Sequence, residues 1–343
     1  MKLDVYKLLS EDLSIRIKIS PEFRKFIRER VTQKFTSLSN CSRKLGRSRF
    51  YLQNWFREKF RCDMSLAILS DICKRLDIPE EKLFDNIEYF SLKGGHKIIK
   101  FPRFIEINKE FVEGYSLYIG DGATSYSSHM VFTNSYHKLI IFFVEWFVKY
   151  FGAKKEFLLA YIDTKRKSQK DFRFLMNLGI PKNKIKFRID PNYNKTLFRI
   201  ICPVKIYKKL FHNLLPPVKE LALNNNFLAK GYLQGIFAAE GHAYYNEKLF
   251  SRGVDIEMKN LSEIEFISKL LHSFNVLTSK IRSVKHKSGL MWKINIYGHE
   301  ELQKVADLNI FGRHEQRQQI LKNGIKTYRH FQNHRKTANL TLE

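Results

Sequence analysis

Acidic residues are scarce in this chain. Its 343 residues hold 34 Asp and Glu against 61 Lys and Arg, a formal net charge of +27. That shortage argues against a cationic partner and makes a polyanion the expected one. Cysteine is rarer still. Cys41, Cys62, Cys73 and Cys202 form no CxxC pair, which argues against a zinc module and a disulfide framework. Long apolar runs are missing as well. The longest, Leu139 to Val148, contains Glu145 and falls far short of the roughly 20 residues that span a bilayer. The first residues carry Asp4, Lys7 and Glu11, so no signal-peptide core is expected there. These absences point to a cytoplasmic or organellar-matrix protein that is not secreted and has no membrane partner. An apolar content of 44% with 14% aromatics favours folded domains, two or three at this length.

Two segments read almost alike: Gly114-Tyr-Ser-Leu-Tyr-Ile-Gly-Asp121-Gly122 and Leu233-Gln-Gly-Ile-Phe-Ala-Ala-Glu240-Gly241. Each is a short apolar stretch with small residues four apart, closed by a carboxylate and a glycine. As helices they place Ser116 and Gly120 on one face, and Gly235 and Ala239 on the other's. Small residues at that spacing let two backbones approach closely. Gly122 and Gly241 are expected to end the helices. Asp121 and Glu240 then meet at the negative ends of two helix dipoles, an arrangement that is costly unless a cation binds. Two carboxylates with nearby carbonyls suit a hard divalent ion.

The pattern resembles the LAGLIDADG homing endonucleases. The first segment matches the motif at Leu117, Asp121 and Gly122, and the second at Leu233, Gly235, Glu240 and Gly241. Both depart at the motif's sixth position, Ile119 and Ala238 here. The resemblance implies an α+β fold: two pseudo-symmetric half-domains, 111–225 and 226–343, whose antiparallel sheets form a DNA-binding saddle with the motif helices paired between them. It also implies Mg2+ or Mn2+ at Asp121 and Glu240, with carbonyl ligands from Gly120 and Ala239. A basic residue beside each scissile phosphate is expected, and Arg199 and Lys293, on equivalent strands after Phe198 and Trp292, are the candidates.

Residues 1–95 read as an all-α domain, with 96–110 as linker and lead-in strand. Gly46 ends one helix, Ser48 can cap the next, and Leu45, Leu52 and Trp55 supply the contacts between them. Leu66, Leu69, Ile72, Cys73 and Leu76 give a further helical period. Leu38 to Phe84 resembles the helix-turn-helix domain of the lambda-repressor-like family. That likeness puts the helix from Arg49 to about Phe56 in the major groove, with Arg49, Tyr51, Gln53 and Asn54 on its early turns. Gly94-Gly95 is expected to be a flexible point, and Phe101 to Ile107 a short lead-in strand.

The remaining chain alternates helices and strands. Lys182 to Ile189 puts Lys184, Lys186 and Arg188 on one face and Ile185, Phe187 and Ile189 on the other. Lys280, Arg282 and Lys293 form a similar basic face in the second half. Such ribbons can reach bases or phosphates in a major groove. The loop Asp163 to Lys170 carries further charge. The expected activity is metal-assisted phosphodiester hydrolysis on long, near-asymmetric duplex DNA, by an intron-encoded or free-standing monomer that acts as a pseudo-dimer. Two other readings use the same scaffold: an RNA maturase that assists intron splicing, and a transcription regulator that binds without cutting.

Overall fold

The computed structural model describes all residues except 58–62, 94–97, 123–128, 247, 249–250, 287–288 and 341–343; for 329–340 it describes the backbone alone. Cys62, Gly94 and Gly95 therefore lie outside the described residues. The chain divides into two compact units.

The first unit comprises Met1–Glu106, Tyr150–Ala153 and Pro203–Leu215. Its elements are β1 (Lys2–Asp4), α1 (Val5–Leu9), β2 (Ile15–Ile19), α2 (Pro21–Phe35), α3 (Leu38–Lys44), α4 (Arg49–Phe56), β3 (Met64–Ser65), α5 (Leu66–Arg75), α6 (Glu80–Asp85), β4 (Ile87–Leu92) and β5 (Phe104–Glu106). The helical segments fall where the periodicity places them. Gly46, at φ +60°, closes α3: its N–H bonds the Arg43 carbonyl and the next N–H, of Arg47, reaches Ser42 at 2.9 Å. This pattern needs a left-handed residue, which glycine supplies without strain. Ser48 does stand at the N-cap of α4, but its side chain makes no capping hydrogen bond.

The all-helical expectation is corrected here. β2 pairs antiparallel with β3 and β4 in a three-stranded sheet, and β1 pairs with β5. Ile15, Ile17 and Ile19 alternate inward with almost no exposure. That run of five residues has the strand period of two, but charged Arg16 and Lys18 dilute it in any helical window. The lead-in strand is present as β5, and its partner is the extreme N-terminus.

The second unit holds Ile107–Lys149, Lys154–Cys202 and Pro216–Glu343. Its first half runs α7 (Lys109–Asp121), β6 (Met130–Asn134), α8 (His137–Phe151), β7 (Leu159–Thr164), α9 (Gln169–Asn177), β8 (Ile185–Ile189), β9 (Leu197–Cys202) and α10 (Lys205–Asn224). The second half runs α11 (Asn226–Glu240), β10 (Gly241–Asn246), β11 (Ser251–Met258), α12 (Leu261–Ser273), β12 (Arg282–His286), β13 (Gly289–Ile296), α13 (His299–Asp307) and α14 (Glu315–Leu340). The sheet orders are β6-β9-β7-β8 and β10-β11-β13-β12.

The two sheets share a register. Gly122 bridges Phe132, which faces Ile200; Gly241 faces Ile256, which faces Ile294. The four apolar partners are buried at 1% exposure or less. β6 therefore corresponds to β11, and β9 to β13. One departure is topological: β8 pairs with β7 in parallel. The helix α9 lies between them and returns the chain to the same end of the sheet, so parallel pairing follows. The second half has no such insertion among its described residues.

Candidate active site

The two motif helices, α7 and α11, pack backbone to backbone. A Cβ added at Gly235 would lie 2.0 Å from the Glu113 carbonyl and 2.1 Å from Ser116 Oγ. One added at Gly120 would lie 2.4 Å from the Ala239 Cβ. The four small residues of the sequence pattern are thus the contact itself. Trp146 locks α7 from outside, donating its indole N–H to the Phe111 carbonyl at 3.1 Å.

Both helices end on their carboxylate, Asp121 and Glu240. The following glycines are needed for space rather than for a left-handed turn. Gly122 and Gly241 are extended, at φ −85° and −70°. A Cβ at Gly122 would sit 2.3 Å from the Tyr118 carbonyl, and one at Gly241 would sit 2.6 Å from Phe237 Cδ1.

Burial pushes the Asp121 carboxyl up to about 7 and Glu240's charge adds to the rise, while Asn134, Arg317 and Lys195 pull the other way. Burial also raises Glu240, against the charge of Arg317. Asn134 Nδ2 donates to Asp121 Oδ2 at 2.6 Å. Neither carboxylate forms an ion pair within 4 Å among the described residues. Two partly enclosed carboxylates at negative helix ends, without a direct cationic partner, fit a divalent ion with oxygen ligands.

Asn134, Lys195 and Arg317 were not singled out by the sequence. Nothing marks Arg317 among 61 Lys and Arg residues. It stands in the first turn of α14, and its Nη1 donates to three carbonyls at the end of α11: Phe237 at 3.2 Å, Ala238 at 2.8 Å and Ala239 at 3.0 Å. Beside it His314 stacks on Tyr136 with ring centroids 4.5 Å apart.

The other sequence candidates lie elsewhere on the sheets. Arg199 and Lys293 occupy corresponding positions, opposite Thr133 and Glu257. Each is tied to its own sheet: Arg199 Nη2 reaches Asp163 Oδ2 at 2.8 Å, and Lys293 Nζ reaches Asp255 Oδ2 at 3.1 Å. Asp163 is fully buried, which explains why it needs a cationic partner. His242 lies 3.8 Å from Asp255 and stacks on Tyr244.

Lys186 and Arg188 are exposed on β8, and Arg188 lies over the Tyr161 ring. Lys184 precedes that strand and donates to the Glu156 carbonyl. Arg282 opens β12 and Lys280 comes just before it; both are exposed. In the first unit Arg49 is exposed on α4, while Tyr51, Gln53 and Asn54 are half-buried.

No curated protein matches the chain. Among solved structures, I-DmoI in complex with DNA and Mn is 20% identical, over 60% of this chain and 98% of that one, with a TM-score of 0.33. The homing endonuclease I-WcaI bound to its DNA recognition sequence is 16% identical, over 60% of this chain and 83% of that one, with a TM-score of 0.35. Residues 228–308, from α11 through α13, match the family described as the LAGLIDADG-like domain.

Proposed function

We propose that the chain is a double-motif, single-chain DNA endonuclease that hydrolyses phosphodiester bonds with a divalent ion, Mg2+ or Mn2+. The observation that carries this reading is the meeting of Asp121 and Glu240 at the ends of two helices packed at backbone distance. When bound, the ion would lower the pKa of the attacking water and offset charge on the leaving oxygen. Asp121 and Glu240 would hold it, with the carbonyls of Gly120 and Ala239 completing the oxygen set. Asn134 orients Asp121 through its amide.

The two basic sheet faces supply the duplex surface. Lys184, Lys186 and Arg188 serve one half, and Lys280 and Arg282 the other. Arg199 and Lys293, each paired with an acid of its own sheet, Asp163 and Asp255, would supply a basic group to each scissile phosphate. Arg49, Tyr51, Gln53 and Asn54 of α4 extend the contact along DNA as a helix-turn-helix reader. A net charge of +27 suits this long polyanionic partner.

The test is a nicking and double-strand cleavage assay on DNA carrying the uninterrupted host sequence, with and without Mg2+. Asp121→Asn and Glu240→Gln keep shape and remove one negative charge each. Cleavage of at least one strand is expected to fall by roughly a hundred-fold or more, while duplex binding persists. Wild-type cleavage in both variants would sink the site. Binding without any cleavage, even by the unsubstituted chain, favours the regulator, and preferential binding of intron RNA favours the maturase.

A further inference from the structure

The segment from Phe311 to Gln318 touches both halves of the second unit. Arg313 lies 3.3 Å from Glu113 of α7 and 3.8 Å above the Phe142 ring of α8. Lys138 of α8 bonds Glu315 at 2.6 Å. Phe311 packs edge-on against Phe237 of α11. Arg317 is held in the middle of this clasp. Its Nη1 is spent on three α11 carbonyls, whereas its Nε and Nη2 have no hydrogen-bond partner among the described residues. Asp121 and Glu240 both lie within its field, and Arg317 within theirs.

One of the three carbonyls belongs to Ala239, the residue before Glu240. It would be a ligand of the proposed ion, so the guanidinium, 3.0 Å from it, would compete with the ion for the same oxygen. They also compete as counter-charges for the same two carboxylates.

We propose that Arg317 is a built-in cation: it opposes the charge of the carboxylate pair through space and holds the end of α11 until a divalent ion displaces it from the Ala239 carbonyl. This inference rests on the endonuclease reading, and adds that the site has a metal threshold set by the protein itself. A guanidinium is well suited to the role. It stays charged across the working pH range, and its planar fork can hold several oxygens without collapsing onto one. Because the clasp fixes Arg317 from both halves, its withdrawal would be felt in the first turns of α14. An arginine that merely caps the helix would repel the ion through space but stay in place, leaving the first turns of α14 unchanged when the ion binds.

The experiment is calorimetric titration of Mn2+ into the full chain without DNA, at pH 7.5. Arg317→Gln removes the charge and keeps a donor; Arg317→Lys keeps the charge and loses the fork. Arg317→Gln is expected to bind Mn2+ at least about ten-fold more tightly than the wild type, with a lower metal-free melting temperature and a larger rise on adding Mn2+. Arg317→Lys should remain within about three-fold of wild-type affinity, because the opposing charge is retained. Equal or weaker Mn2+ binding by Arg317→Gln overturns the proposal and leaves the endonuclease reading intact, provided Asp121→Asn weakens binding. If neither the wild type nor Arg317→Gln binds Mn2+, both fall. Should Arg317→Gln fail to fold, hydrogen exchange on the wild type decides. Mn2+ should speed exchange in residues 311–321 and not in 299–307; unchanged protection overturns the displacement.

Discussion

At the scale of single residues, the carboxylate pair makes a prediction that needs no DNA. Asp121 titrates at about 7 in the fold, against an ordinary 3.8. Between these values the native state binds more protons than the unfolded chain, so metal-free stability falls as pH rises through the window. His314 works in the opposite sense. Burial, with Arg317's charge, lowers it to about 4 from 6.5, so over that range the unfolded chain binds more protons and stability rises with pH. The two partly offset each other, and only a difference measurement separates them. Relative to the wild type, Asp121→Asn should gain stability steadily between about pH 4 and 7. Denaturant midpoints at pH 4.5, 6 and 7.5 read this directly; parallel curves would show that burial does not perturb Asp121. With Mn2+ present the wild-type trend should reverse, since the ion takes the deprotonated form. The two acids were legible in the sequence because the glycine and small-residue spacing around them is periodic. Their neighbours were not, because Asn134 and Arg317 arrive from other elements and carry no local pattern.

At the scale of elements, the helix pair depends on the absence of side chains. Gly235→Ala would press a methyl group into the Glu113 carbonyl and Ser116 Oγ, at 2.0 and 2.1 Å. A backbone carbonyl cannot turn away, so α7 and α11 must part. The expected cost is on the order of 3 kcal/mol, read as a loss in equilibrium unfolding free energy. Shortening Ser116 to Ala as well should recover little, because the carbonyl contact remains. Full recovery in that double variant would place the clash on the hydroxyl alone. This contact was foreseeable from a spacing of four. The β7-α9-β8 crossover was not. Lys182 to Ile189 reads as a strand by its alternation, but direction relative to β7 depends on α9. That helix is short, and Lys165, Arg166 and Lys167 before it read as a solvated loop. α14 shows the opposite failure: its outer turns are too polar to carry a clear apolar period, although its backbone stays helical to Leu340.

At the scale of the whole molecule, charge and domain organisation set two expectations. A net charge of +27 should release many condensed counterions on binding DNA. Log affinity should fall against log salt with a slope corresponding to roughly five or more phosphates. A flat response counts against a nucleic-acid partner altogether. The contribution of the N-terminal part is harder to isolate, because the first unit is not a contiguous segment. Phe101 packs on Phe90 and Tyr207, Phe151 on Phe211, and Lys209 reaches Asp12 at 2.6 Å. Removing residues 1–95 would take Phe90 from Phe101 and Asp12 from Lys209, and leave β5 without β1. Such a truncation should lose stability for reasons unrelated to DNA. Arg49→Ala with Gln53→Ala avoids this, since Arg49 is exposed and Gln53 only half-buried, and the core residues Leu52 and Trp55 are untouched. If α4 reads DNA, this pair should weaken target binding by about ten-fold or more, leave the melting temperature within a degree or two, and leave metal-dependent cutting at saturating protein unchanged. Unaltered affinity, at a salt concentration where the wild type discriminates its target, would mean that α4 braces the first unit and makes no contact with the duplex.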